Sequence, residues 1–157
     1  MQVFVIGSAI ETAMCLDKKR LNKQIIECGQ ILKAIWGESK AWANHPCTIQ
    51  YREHETWLWY YYQTLAFYRD YLNNVSKQFG ENPIDDLNEA KRASKIADRR
   101  RPNFHTEEYF NNMKRRLYTK NPEHYNQWSH LGNSDENWYF VNNEWKKYIN
   151  GKLIINL

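Results

Sequence analysis

The run Asp17-Lys18-Lys19-Arg20-Leu21-Asn22-Lys23-Gln24-Ile25-Ile26-Glu27 sets a carboxylate, Glu27, among cations at helical spacing. A carboxylate flanked by fixed positive charge can stabilise a developing oxocarbenium ion while phosphates bind beside it. The same pattern also describes a solvated helix, in which Lys23 and Glu27 form an i,i+4 pair worth only tenths of a kcal/mol. His45 before Pro46, His105 before a helix cap, and His124 have the chemistry of ligands or bases, and equally of turn and cap residues. The histidines show no zinc spacing and no H-E-x-x-H. There is no G-x-G-x-x-G, P-loop or G-x-S-x-G, which disfavours nucleotide-dependent chemistry and serine hydrolysis. No metal or cofactor is expected. Pro122-Glu123-His124-Tyr125-x-x-Trp128 would suit packing against a sugar or base, or closing a core.

Around this chemistry the charge is unevenly spread. The net charge is only +4, but residues 91–120 carry ten Lys/Arg (Lys91, Arg92, Lys95, Arg99, Arg100, Arg101, Lys114, Arg115, Arg116 and Lys120) against three acids. Residues 121–145 carry four acids and no Lys or Arg. A second basic cluster is Lys18, Lys19, Arg20 and Lys23. Two such clusters in a small chain suit a polyanion, because neutralised phosphates release counterions.

The elements that must position these groups follow from periodicity. Residues 1–6 are apolar and β-branched and read as an extended arm. Ser8 to Trp36 reads as helix with a break near Asp17, which would cap the second part. There Leu21, Ile25, Cys28, Leu32 and Ile35 form one apolar stripe, and Arg20, Lys23, Gln24 and Glu27 fall on a face roughly 120° away. Gly37 to His45 is a connection, and Asn44-His45-Pro46 starts a helix with Pro in its first turn. Leu58, Tyr61, Leu65, Tyr68, Leu72, Val75 and Phe79 keep helical spacing to Gly80, a C′ residue. Trp57, Trp59, Tyr60 and Tyr62 make this long helix apolar nearly all round, so it should be central and buried. A shorter amphipathic helix over 84–98 (Ile84, Leu87, Ala90, Ile96), a basic loop Arg99-Arg100-Arg101-Pro102, and a helix capped by Thr106 and ending by Asn121-Pro122 come next. Asn142-Asn143 and Asn150-Gly151 then join short strands. The predicted fold is mainly α: a helical body over 1–128 around the long aromatic helix, with a small C-terminal β-hairpin or meander over 129–157 docked on it.

A chain of 157 residues is long enough for one domain with a buried core. Hydrophobic residues make up 42% and aromatics 15%, which excludes wholesale disorder. No apolar run of membrane-spanning length occurs, and the start lacks a secretory signal pattern. Cys15, Cys28 and Cys47 form no C-x-x-C pair and read as reduced thiols of a cytosolic protein.

Taken in order, these pieces resemble the pyrimidine-dimer DNA glycosylase (endonuclease V) family of bacteriophages and bacteria, over about residues 1–128. The resemblance is carried by Leu16-Asp17…Arg20-Leu21…Glu27, by His45 leading into Thr48…Phe79-Gly80, and by Phe104-His105…Lys114-Arg115-Arg116…Pro122-Glu123-His124-Tyr125. It is stronger to members beginning Met-Gln and carrying Leu-Asp-x-x-Arg-Leu-x-Lys-Gln-x-x-Glu and Asn-His-Pro. It implies an enzyme without cofactor that flips a nucleotide and attacks the deoxyribose C1′ with its N-terminal α-amine, here that of Met1, or of Gln2 if Met1 is removed. A Schiff base and strand-nicking β-elimination would follow. An α-amine with pKa near 7.7–8.0 is partly a free nucleophile at neutral pH.

By position, the resemblance makes Glu27 the acid/base and gives Arg20 and Lys23 phosphates to hold. Lys114, Arg115 and Arg116 would grip the backbone, with Lys19, His45, Arg99, Arg100, Arg101, His124 and Tyr125 completing the DNA surface. The implied partner is double-stranded DNA with a damaged or modified pyrimidine, read by a monomer in the cytoplasm of a bacterial or phage-infected cell, at the nucleoid. The readings from other classes are a non-catalytic DNA- or RNA-binding scaffold and a protein-interaction module that uses the C-terminal hairpin.

Overall fold

The computed structural model describes residues 1–75 and 83–154. Residues 1–5 belong to no helix or strand and Ile6 lies in a bend, with Val3 and Val5 fully buried. Ser8 caps α1 (Ala9–Cys15), and Asp17 caps α2 (Lys18–Ile35), so the helical segment breaks where a cap residue was expected. His45 caps α3 (Pro46–Tyr51), which opens on its proline. Next come α4 (Glu55–Val75), α5 (Pro83–Asp98) and α6 (Glu107–Lys120), the last capped by Thr106. A 3-10 turn, Asn126–Leu131, leads to β1 (Asn137–Val141), β2 (Glu144–Ile149) and β3 (Lys152–Leu153). The strands form an antiparallel meander in the order β1-β2-β3. Both hairpin turns place two residues at positive φ, Asn142 and Asn143 (54° and 59°), then Asn150 and Gly151 (50° and 75°). That geometry matches the right-handed twist of the flanking strands.

The fold is mainly α, as predicted. The expected stripe of α2 is its core face: Leu21, Ile25, Cys28 and Leu32 are buried against Trp57, Leu58, Tyr61 and Leu65 of α4. Tyr51, Trp57 and Tyr61 stack face to face in sequence, at 5.3 and 4.8 Å between centroids. Tyr139 and Val141 of β1 lie in the same buried cluster as the helices, so the meander shares the helical core.

Three expectations change. The long helix begins only at Glu55, because Arg52-Glu53-His54 turn the chain, with the His54 N–H donating to the Tyr51 carbonyl (2.8 Å). Leu72 and Val75 are exposed rather than core, since α4 projects past the buried cluster, whose last α4 member is Leu65. The expected end at Phe79-Gly80 lies outside the described residues, as does Ile155 at the end of the last strand. In α5 the buried face is Ala90, Ala93, Ser94 and Ala97, not Ile84, which is exposed. Small side chains let α5 approach α1 closely enough for the Ser94 hydroxyl to accept the Ile10 N–H (3.0 Å).

Candidate active site

Gln24 links the arm to the acid. Its side chain is 1% exposed. Its Oε1 accepts the Phe4 N–H (2.9 Å), and its Nε2 donates to the Gln2 carbonyl (2.7 Å) and to Glu27 Oε2 (3.4 Å). One turn of α2 therefore places Glu27 one side chain away from the backbone of residue 2. Tyr61 fixes the arm from below by donating its hydroxyl to the Phe4 carbonyl. Tyr139 fixes its first residue, donating to the Met1 carbonyl (2.8 Å). The Cys47 thiol feels the amino-terminal charge and that of Glu27 together; burial pushes it up to about 12. Burial and the positive amino terminus both push His45 below its ordinary value.

The cations expected around Glu27 divide into those that reach it and those that do not. Lys23 pairs with it across one turn (3.7 Å). Partial burial, then the like charges of Arg116, Lys23 and Arg20, hold Lys120 below the usual lysine range, while Glu27 acts in the opposite sense. Lys120 thus feels Arg20, Lys23, Arg116 and Glu27 together, a mixed-charge group with a positive excess in which Lys23 alone pairs with Glu27 among the described residues. Arg20 is also held by Asp17 (3.0 Å), the cap of its own helix. Burial outweighs nearby acidic and phenolic groups and lowers Arg116, whose guanidinium lies 5.3 Å from the Phe4 ring centroid. Among the described residues its buried Nε and Nη1 have no hydrogen-bond partner.

The rest of the basic helix points elsewhere, because successive residues turn by about 100°. Arg115 Nε donates to the Leu131 carbonyl (3.2 Å), and Lys114 acts on Cys15. Arg99, Arg100 and Arg101 are exposed at the end of α5, where Arg101 pairs with Asp98 (3.1 Å) and lies over Phe110. Among the described residues no hydrogen bond or ion pair joins these three to the Glu27 group. Lys19 is exposed on α2.

Other expected site residues have structural partners. His45 Nδ1 accepts the Cys47 N–H (3.1 Å), which makes it the α3 cap, and its ring lies edge-on to Tyr139. His124 bonds the Cys15 carbonyl (3.1 Å). Tyr125, expected on the DNA surface, is fully buried; it stacks on Trp128 and its hydroxyl accepts the Asp17 N–H (2.9 Å), holding the corner between α1 and α2. Gln2 is 3% exposed, and its side-chain amide has no partner among the described residues. His105 is a core residue, bonded to the Tyr51 hydroxyl (2.9 Å); burial first, then the charges of Arg101 and His54, push it well below its ordinary value.

Sequence reasoning missed Gln24 as the bridge, Lys120 as a member of the positive group, and Tyr139 as the anchor of Met1. Spacing gave a signal for two of them: Gln24 stands three residues before Glu27, and Lys120 four after Arg116. Tyr139, in contrast, arrives from the far end of the chain. A separate cleft of about 580 Å³, lined in part by Gln50, Arg52, His54, Phe104 and Phe140, includes neither Glu27 nor Met1. No helix among the described residues is long and apolar enough to cross a membrane.

Comparison with known proteins bears on the amino-terminal part of this arrangement. Residues 1–67 match the model of the pyrimidine dimer DNA glycosylase family, the one that the motif order resembles. The matched segment is shorter than the expected 1–128; it holds the arm, Glu27, Arg20, Lys23 and His45 but stops before α6. That match covers less than half of the chain, and the family it points to is one of DNA glycosylases. No curated protein and no solved structure matches the chain.

Proposed function

We propose that this protein is a DNA glycosylase with AP-lyase activity, acting on an everted pyrimidine lesion or modified pyrimidine. The observation that carries this reading is the Gln24 amide, shared between the backbone of the arm and the Glu27 carboxylate within a positive surround. The nucleophile in this account is the α-amine of Met1. Gln2 is an alternative only after loss of Met1, and the anchoring of Met1 by Tyr139 with the burial of Gln2 favours Met1.

The amine lone pair forms a bond to C1′, and the glycosidic C1′–N bond breaks with its electron pair going to the base. The base takes a proton from solvent. The amine loses a proton, and the ring oxygen gains one as the C1′–O4′ bond opens to an iminium. Glu27, negatively charged, steadies the cationic sugar and shuttles that proton. It then removes a C2′ proton, the C3′–O bond breaks, and the 3′ phosphate departs. Water hydrolyses the imine and restores the amine. No redox partner is needed. Arg116, Lys120, Arg20 and Lys23 hold the phosphates beside the lesion, and the exposed Arg99, Arg100 and Arg101 extend the charged surface along the duplex. Everting a damaged, weakly paired nucleotide costs a few kcal/mol, which such contacts offset.

In this reading residues 1–128 are the catalytic body and 129–157 an extension that secures Met1 through Tyr139. The enzyme works as a monomer where the DNA is, in the cytoplasm at the nucleoid. Glu27→Gln should abolish nicking of UV-irradiated duplex while leaving binding in a gel-shift assay; full nicking in that variant would defeat the assignment.

A further inference from the structure

We propose that Trp42 is a stacking residue for duplex DNA, its indole covering the face of a nucleobase next to the everted nucleotide. This rests on the glycosylase reading above. Trp42 lies in the 37–45 connection, 43% exposed, with φ at 67°. A bulky side chain rarely occupies that left-handed region. The backbone is held there: the Trp42 carbonyl accepts the His45 N–H (3.1 Å), and the Ala43 carbonyl accepts from Arg52 Nη2 (2.6 Å). A strained conformation fixed by several bonds is an observed outlier that calls for a functional reason.

The position supplies one. The indole meets His45 edge-on at 5.4 Å, and His45 meets Tyr139 edge-on at 5.7 Å. Tyr139 bonds the Met1 carbonyl. A solvent-facing aromatic surface is thus two ring contacts and one hydrogen bond from the residue that carries the nucleophile. When a nucleotide leaves the stack, the faces of its neighbours lose their partners, and an indole restores one of them. Three of the other tryptophans fit less well. Trp57 and Trp128 are buried. Trp36 is equally exposed, but its Nε1 is bound to Glu55 (2.6 Å) and it sits nine residues along α2 from Glu27, roughly 13 Å.

The test uses the full chain with two duplexes, one holding a central thymine dimer and one holding 5-iodouracil beside a tetrahydrofuran abasic analogue. Trp42→Ala should lower kcat/KM on the dimer about tenfold to a hundredfold, the range for one aromatic–base stack. Trp42→Phe should recover most of it, and Trp36→Ala should behave as wild type. The iodouracil photocrosslink should map to Trp42 by mass spectrometry, which a purely structural role for this residue would not produce. A crosslink elsewhere, with Trp42→Ala turning over as wild type, overturns the proposal; if Glu27→Gln is then inactive, the glycosylase reading survives without it. A Glu27→Gln variant that still nicks removes both.

Discussion

Replacing Gln24 by Leu tests whether the amide bridge holds the arm at the site. Leu is close to Gln in volume, so no large cavity opens. Two buried backbone groups lose their partners, the Phe4 N–H (2.9 Å) and the Gln2 carbonyl (2.7 Å). Each costs about 1–3 kcal/mol when left unsatisfied, which gives about 2–6 kcal/mol together. Domains of this kind are stable by about 5–15 kcal/mol, so the variant should still fold. The Tyr61 and Tyr139 bonds to the Phe4 and Met1 carbonyls remain, so the arm is loosened rather than lost. Urea unfolding should show a lower midpoint with an unchanged slope. Nicking of an abasic duplex should fall further than the folded fraction does, because the amine no longer has a fixed approach. A midpoint and a nicking rate both equal to wild type would refute the reasoning. Gln24→Glu keeps an acceptor for Phe4 but cannot donate to Gln2, so it should recover stability in part and activity hardly at all.

Asp17→Ala removes the α2 cap and the partner of Arg20, and should cost about 1–2 kcal/mol in urea denaturation. Burial of the Asp17 carboxyl is outweighed by hydrogen bonds from Asn121 and the Arg20 N–H and by the Arg20 charge, so it titrates below the usual range. Its stabilisation is complete above about pH 4 and is lost as pH falls through the folded value, and the variant should lack that acid-dependent part. His105, held neutral by burial, contributes stability that is complete above about pH 6.5 and declines as pH falls below it; His105→Phe should flatten the urea midpoint between pH 7 and 5, at a cost of about 1 kcal/mol at pH 7 for the unpaired Tyr51 hydroxyl. Lys120→Ala should weaken DNA binding across sequences and reduce the slope of log K against log salt by about 1, measured by fluorescence anisotropy.

Local signals made most elements legible. Caps at Asp17, His45 and Thr106, the apolar stripe of α2, and the asparagine turns of the meander are each decided within a few residues, and each formed as expected. The break between α3 and α4 was not legible, because the helix start at Pro46 and the apolar repeat from Leu58 leave residues 52–54 unmarked, and only the Tyr51–His54 turn reveals it. The buried face of α5 was misread for a related reason: it is selected by close approach to α1, which favours alanine and serine over isoleucine. At the candidate site, Glu27, Arg20 and Lys23 stand on one helix and could be read from spacing, whereas Arg116 and Lys120 come from α6. The arm that reaches Glu27 through Gln24 and the Tyr139 that anchors Met1 depend on contacts between distant parts of the chain. Tyr125 shows the converse limit, since an aromatic next to a basic helix looks the same in sequence whether it faces DNA or, as here, the core.

Borohydride reduction during turnover on an abasic duplex, followed by peptide mapping of the trapped complex, tests most directly whether the start of the chain is the nucleophile. The account predicts one covalent adduct, on the α-amine of Met1, whose yield collapses in Glu27→Gln. An adduct on a lysine side chain, or none while the strand is still cut, would contradict it.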